Sequence, residues 1–232
     1  MRVHVAFTPA DEVTAPVGIV IDVLRATSTM ATAIASGYER ILCCREVDEA
    51  RAVAAEQGDA VLGGERKGLR IEGFAFGNSP REYLEASPTA RTLVLTTTNG
   101  TKLLVAAAAR CERVLIGSLL NLGAVVEEAR ASRAEDVAIL CAGIFGELAL
   151  DDAYCAGRIA EALGGKPRDS AVAAIRLAQS FGSHEEGLGA SQSARNIRAN
   201  GLDEDIAFCA RESVVDAVPR FSRMLGPAAE VR

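Results

Sequence analysis

The sequence predicts an α/β protein of three layers, with a mostly parallel or mixed central sheet covered by helices on both faces. Short β-branched and aliphatic runs alternate with Ala-rich helical stretches along most of the chain, the signature of strand–helix–strand units. Hydrophobic residues make up 49% of the 232 residues, which excludes a disordered chain and suffices for a large core. Aromatic residues contribute only 4%, and the abundance of Ala suits close packing of helices on a sheet. No repeat, linker or low-complexity segment interrupts 1–232, so one continuous domain is expected.

The elements follow in order. VGIVID at 17–22 reads as a buried strand despite Gly18, and 27–36 as a helix closed by Gly37. ERILCC at 39–44 is the next strand, followed by a helix over Val47–Gln57 that stops at Gly58, and by a short strand, AVLGG. RTLVLTT at 91–97, RVLIGS at 113–118 and DVAILCAG at 136–143 are further strands. Helices over 101–109, 119–131 and Leu150–Leu163 follow them. After Lys166 the pattern weakens, with helices expected over 170–180 and 190–199 and the Gly-rich stretch 181–189 between them as a loop. Right-handed crossovers would place the strand-to-helix turns on one rim, where ligands bind at the carboxyl ends of parallel strands.

Charge narrows the choice of partner. The net charge is −6, with both signs interleaved and no lysine/arginine block, so a nucleic-acid partner is not expected. An acidic protein that binds an anion must concentrate positive potential locally, through arginine, helix N-termini or a metal. The six cysteines form no CxxC pair and no zinc-like Cys/His spacing, and they read as buried reduced thiols. MRVHVAFTPADE lacks the regions of a signal peptide, and no apolar run approaches the ~18 residues of a membrane span. A cytoplasmic protein without a membrane association is expected.

Three turns carry the chemistry. Asp22 ends the first strand, and Arg25, Thr27, Ser28 and Thr29 follow it into a helix. Helix N–H groups, the hydroxyls of Thr27 and Ser28 and the forked guanidinium of Arg25 can hold a phosphate, with Asp22 holding a divalent cation against it. The bland alternative is an ordinary Ser/Thr cap beside a surface Asp–Arg pair. TTTNGT is the second turn, with the hydroxyls of Thr96, Thr97, Thr98 and Thr101 around Asn99 and Gly100, more than a cap requires. Ser118 and Asn121 repeat the theme more weakly in a third. Together the three turns suggest an oxyanion pocket that takes a small phosphorylated anion.

The stretch GGERKGLRIEGFAFGNSP, with five glycines, reads as a long structured loop. Glu65 and Arg66 within it pair a metal ligand with a phosphate clamp, or else form a solvated surface pair. Asn78 is a candidate substrate-binding residue; the bland alternative is that Asn78, Ser79 and Pro80 form a helix start with Ser79 as the cap. Asp151 and Asp152 open the helix at Leu150, where acidic residues favour the dipole; one of them can complete an oxygen-rich magnesium site with Asp22 and Glu65. His184 is a candidate acid or base in its Gly-rich loop. There is no GxGxxG, GxxxxGK[ST] or HExxH, and neither the haloacid-dehalogenase nor the tyrosine-phosphatase pattern is present.

These residues resemble the 2-phosphosulfolactate phosphatase family, associated with coenzyme M biosynthesis. The resemblance rests on DVLRATST from Asp22, GER at 64–66, GFAFGNSP from Gly73, TTTNGT from Thr96 and GSLLN from Gly117. CAG from Cys141, DDAYCAG from Asp151, GLDEDIAFCA and VVDAVP extend it over nearly the whole chain. It implies a magnesium-dependent hydrolysis of (R)-2-phospho-3-sulfolactate to sulfolactate and phosphate. Asp152 is preferred to Asp151 because it holds the family-like position ahead of Ala156 and Gly157, which makes Asp22, Glu65 and Asp152 the expected magnesium ligands. In-line attack by water activated at the metal, with Arg25 and Arg66 on the phosphoryl oxygens, is consistent with this; a phospho-enzyme through Asp22, Ser or Thr stays open. The competing readings are a phosphatase for another small organic phosphate and a non-catalytic anion-binding protein. A homodimer is the expected assembly.

Overall fold

A computed structural model describes the chain except for Ser87, Thr89 and Asn99; for Gly100 and Thr101 it describes the backbone only. The strands are β1 (Arg2–Ala6), β2 (Ala15–Ile21), β3 (Arg40–Cys44), β4 (Ala60–Arg66), β5 (Leu69–Arg70), β6 (Thr92–Thr96), β7 (Cys111–Gly117), β8 (Asp136–Cys141), β9 (Lys166–Pro167), β10 (Phe221–Leu225) and β11 (Ala228–Val231). The helices are α1 (Ala26–Ala35), α2 (Val47–Gln57), α3 (Pro80–Glu85), α4 (Gly100–Ala108), α5 (Leu122–Ala131), α6 (Leu150–Leu163), α7 (Asp169–Gln179), α8 (His184–Gly189), α9 (Gln192–Ala199) and α10 (Asp203–Cys209).

The expected helix–sheet–helix layering is present, but it is built on two sheets. One is parallel, in the order β7-β2-β8-β1-β9. The other is mixed, β10-β11-β3-β6-β4-β5, with a parallel centre of β3, β6 and β4. Alternate residues of β2 explain the arrangement: Val17, Ile19 and Ile21 pack towards α5 and α6, while Val20 packs with Met30 of α1 and Leu104 of α4. The same α1 and α4 also meet Ile41, Leu93 and Leu95 of the second sheet, so they form a shared middle layer. On the far side of that sheet, α2 packs Ala50 and Val53 against Leu42 and Val94. The segment before β10 joins the two sheets: Pro219 O accepts from Ile116 N at 2.8 Å, and Arg220 exchanges backbone hydrogen bonds with Arg232.

Local chemistry accounts for the elements. A reciprocal capping box between Glu46 and Glu49 starts α2, and Gly58 ends it at φ +67°. Gly157 permits the close packing of α6 on α7, since a Cβ there would meet Ala174 O at 2.1 Å. The strand β1, which its single short RVHVA run did not announce, lies between β8 and β9. The antiparallel β10 and β11 were also not foreseen. The stretch 181–189 is corrected from loop to helix over most of its length: Ser183 caps α8 by accepting from Glu186 N. The long loop after Gly63 is corrected too, because β4 continues through Arg66 and turns back into β5. Among the described residues, no helix is long and apolar enough to cross a membrane.

Pairing fixes where the strands end. Ile21 lies level with Gly117 and Cys141 in one sheet, and Thr96 with Cys44 and Gly64 in the other. The loops that follow β2, β4, β6 and β8 therefore share one neighbourhood.

Candidate active site

A cavity of about 690 Å³ opens at these carboxyl ends. Asp22, Leu24 and Arg25 line it from the turn after β2, Ile144 and Phe145 from the loop after β8, and Thr97 and Thr98 from the loop after β6. Glu65, Arg66, Lys67 and Gly68 contribute from the β4–β5 turn, Asn78 from the segment before α3, and Ser193, Asn196, Ile197, Ala199 and Asn200 from the α9 region. Two of the three hydroxyl-rich turns thus meet in one pocket although they belong to different sheets.

Among the described residues, Asp22 faces this cavity with little to satisfy its charge. One oxygen accepts from Ala26 N at 3.4 Å. Burial, then repulsion from Asp151 and Glu65, pushes its carboxyl up to about 7, against the favourable effects of Ala26 N–H and Arg25. Because Ala26 N and Thr27 N both turn to Asp22, these first amides of α1 are occupied from within the chain. Arg25 is itself held, donating Nη1 to Asp205 at 2.6 Å and Nη2 to Gly68 O at 2.8 Å. Arg66 donates to Glu65 O, Arg45 O and Thr96 Oγ1.

Glu65 owes its place to Gly64, whose φ of +148° and close approach to Thr96 O leave no room for a Cβ, which would lie 2.2 Å from that oxygen. Its Oε1 accepts from Thr98 N and Thr98 Oγ1, both at 2.8 Å, and its Oε2 from Gly68 N at 2.8 Å. Three of its roughly four lone-pair sites are therefore taken. Asn78 Oδ1 and Thr97 Oγ1 are buried at the cavity and have no hydrogen-bond partner among the described residues. A buried polar atom left so is costly, and both are placed to meet a ligand.

Other candidates lie elsewhere or do other work. Thr27 Oγ1 accepts from Asp22 N, Ser28 Oγ donates to Val23 O and Thr29 Oγ1 donates to Asn78 O, so these hydroxyls brace the loop and are not among the cavity-lining groups. Ser118 and Asn121 sit at the carboxyl end of β7 but are fully buried and bonded to each other. Asn121 Nδ2 donates to Ile116 O and Ala217 O, which fixes the C-terminal segment against the sheet. The expected third anion-binding turn is therefore a packing device. Asp152 accepts from Val23 N at 2.9 Å and Gly143 N at 3.1 Å, tying together two strand-end loops, and it does not line the cavity. Burial, Asp151 and Asp22 push its carboxyl well above the usual range. Asp151 accepts from Ser193 Oγ at 3.1 Å, and burial raises its carboxyl to about 6 against the hydrogen bonds of Ser193 and Ser191. His184 bonds Tyr154 and Glu212 away from the cavity. Asn99 and the side chains of Gly100 and Thr101 lie outside the described residues.

The α9 wall and Lys67 went unread in the sequence. Ser193, Asn196 and Asn200 recur at helical spacing and so share one face, a signal present in SQSARNIRAN. Lys67 directly follows the GER motif.

Among the described residues, no three His, Cys, Asp or Glu side chains are already gathered as a ready metal-binding group. Two carboxylates, three cationic side chains and unpartnered polar atoms around a strand-end cavity are the equipment of an α/β enzyme handling a phosphate ester. The chain belongs to the 2-phosphosulfolactate phosphatase family, phosphoric monoester hydrolases, whose model matches residues 4–223. It is 40% identical to a probable 2-phosphosulfolactate phosphatase of Thermus thermophilus over 98% of each chain. Those of Symbiobacterium thermophilum, at 40% over 92% of this chain and 94% of the relative, and Deinococcus radiodurans, at 39% over 94% and 92%, carry the same name.

Proposed function

We propose that this protein is a magnesium-dependent phosphatase that releases phosphate from 2-phosphosulfolactate, in the cytoplasm and in the service of coenzyme M biosynthesis. The observation that carries the reading is Asp22, an under-bonded carboxylate held near neutral titration beside Arg25 and Arg66 in a family member's strand-end cavity.

Magnesium suits this donor set. Asp151 and Glu65 repel the Asp22 carboxylate, and a divalent cation relieves that repulsion. Magnesium needs only one or two carboxylates beside substrate oxygens and water, so Asp22 and the remaining lone pair of Glu65 would hold it, with the neutral Asn78 Oδ1 nearby. When bound it supplies Lewis-acid neutralisation of phosphoryl charge and a more acidic water. Asp152 acts from behind, holding Val23 and therefore the loop that carries Asp22.

The chain's own residues divide the remaining work. Arg25 and Arg66 stabilise charge on the phosphoryl oxygens as a water oxygen bonds to phosphorus and the ester bond breaks, the proton that the water loses balancing the one that the leaving oxygen takes up. Thr97 Oγ1 donates to an anionic oxygen of the substrate. Lys67 and the amides of Asn196 and Asn200 face the sulfonate and carboxylate groups. Ile144 and Phe145 add apolar surface to the cavity wall.

Phosphate release from (R)-2-phospho-3-sulfolactate and from other 2-phospho acids, with magnesium and with a chelator, tests the reading. Turnover is expected to need the metal and to favour the sulfonate. Chelator-resistant turnover would remove the metal from the proposal, and preference for another 2-phospho acid would replace the substrate.

A further inference from the structure

Asp205 belongs to the GLDEDIAFCA motif, 180 residues from Arg25 in sequence, and no step above uses it. It opens α10 beside Asp203 and Glu204, which are exposed and suffice to favour the helix dipole. Asp205 alone of the three is buried. Its Oδ2 accepts from Arg25 Nη1 at 2.6 Å, with 2% and 3% of the two side chains exposed. Its Oδ1 accepts from Ser79 Oγ at 2.5 Å. Ser79 occupies the N-cap position of α3 but makes no cap bond, so its hydroxyl has left the ordinary local partner for Asp205.

We infer that Asp205 is the positioning residue of Arg25, fixing the guanidinium where charge develops on the phosphoryl group. The inference rests on the phosphatase reading above. A buried ion pair is a poor stabiliser compared with an apolar pair of the same shape, because both charges lose water. What it gives is geometry. Asp205 and Gly68 O grip Arg25 from α10 and from the β4–β5 turn, using two of its five N–H donors, and Arg25 still lines the cavity. Without Asp205 the cation turns towards Asp22 and Glu65; it still attracts the substrate but no longer stands where the transition state needs it.

The experiment is a double-mutant cycle of Asp205→Asn and Arg25→Lys, with kcat and KM measured on 2-phosphosulfolactate and folding followed by thermal melting. Asp205→Asn is expected to lower kcat about 10- to 100-fold while KM changes less than about 3-fold. In the Arg25→Lys background the same substitution should cost less than about 2-fold, since positioning acts through the guanidinium. Equal losses in both backgrounds, or a lowered melting temperature with unaltered kcat, would overturn the inference. An Arg25→Lys enzyme with full activity would instead remove Arg25 from the site and with it that part of the phosphatase reading. Should Asp205→Asn not fold, the wild-type protein carries the test. Its Arg25 guanidinium should give separate, slowly exchanging Nη signals in nitrogen NMR, and a single averaged signal would refute the positioning.

Discussion

Replacing Asp22 by Asn should make the metal-free protein more stable while abolishing its activity. Burial and the acidic neighbours raise the folded-state carboxyl from 3.8 to about 7, so between those values the folded protein holds a proton that the unfolded chain has lost. Wild-type stability therefore falls as pH rises through this window and levels off above it. At ~1.4 kcal/mol for each pH unit, the ionised carboxylate costs about 4 kcal/mol at pH 8, and relaxation of neighbouring groups reduces this to roughly 2–4 kcal/mol. Asn keeps the shape and can still accept from Ala26 N, but it carries no charge for Asp151 and Glu65 to repel. For a chain of this size the gain corresponds to a melting temperature roughly 5–15 °C higher at pH 8, shrinking towards zero near pH 4. Thermal melts at pH 4.5, 6 and 8 in the presence of a chelator read the difference directly. A gap that does not change with pH, or a variant less stable at pH 8, would refute the account of Asp22 as a strained carboxylate. Such strain is what a site built for a cation or a proton retains at the expense of stability.

Other substitutions separate packing from chemistry. Asn121→Ala strips partners from Ser118 N, Ile116 O and Ala217 O and should cost roughly 1–3 kcal/mol in urea unfolding, with kcat and KM of the folded protein unchanged; an altered KM at constant stability would return Asn121 to the site. Gly64→Ala sets a Cβ against Thr96 O at a positive φ and should cost roughly 2–4 kcal/mol, with loss of activity as Glu65 moves; an unshifted urea midpoint would contradict this. Glu230 is fully buried, yet Arg232 and Arg223 outweigh that burial and hold its carboxyl below the usual range. Its stabilisation is present above the unfolded value and is lost as pH falls through the lower folded one. Glu230→Gln should therefore lower the urea midpoint clearly at pH 7 and less at pH 4, and an equal loss at both would show the arginines to be idle.

The repeating layers and many of the residues that line the cavity can be read from the sequence alone. The periodicity of VGIVID and of the runs at 92–96 and 136–141, with helices such as Val47–Gln57 between them, is local information, and local packing obeyed it. Asp22, Arg25, Glu65, Arg66, Asn78, Thr97 and Thr98 were legible because strand-end turns rich in polar groups are where parallel sheets bind ligands. The short strands β1, β10 and β11 were not: β1 pairs with β8 and β9 far along the chain, and the β10–β11 hairpin is anchored only by docking β11 on the distant β3. The folded structure decided which polar groups remain available to a ligand. Thr27, Ser28, Ser118 and Asn121 look as suited to an anion as Thr97 does, but each is consumed by a partner three to five residues along the chain, and Asn121 also by the distant Ala217 O. It alone also set Asp205 on Arg25 and folded the sheet into two, bringing the turns after β2 and β6 to a single cavity. These are long-range contacts, and they are fixed by the packing of α1 and α4 between two sheets, which no one segment encodes.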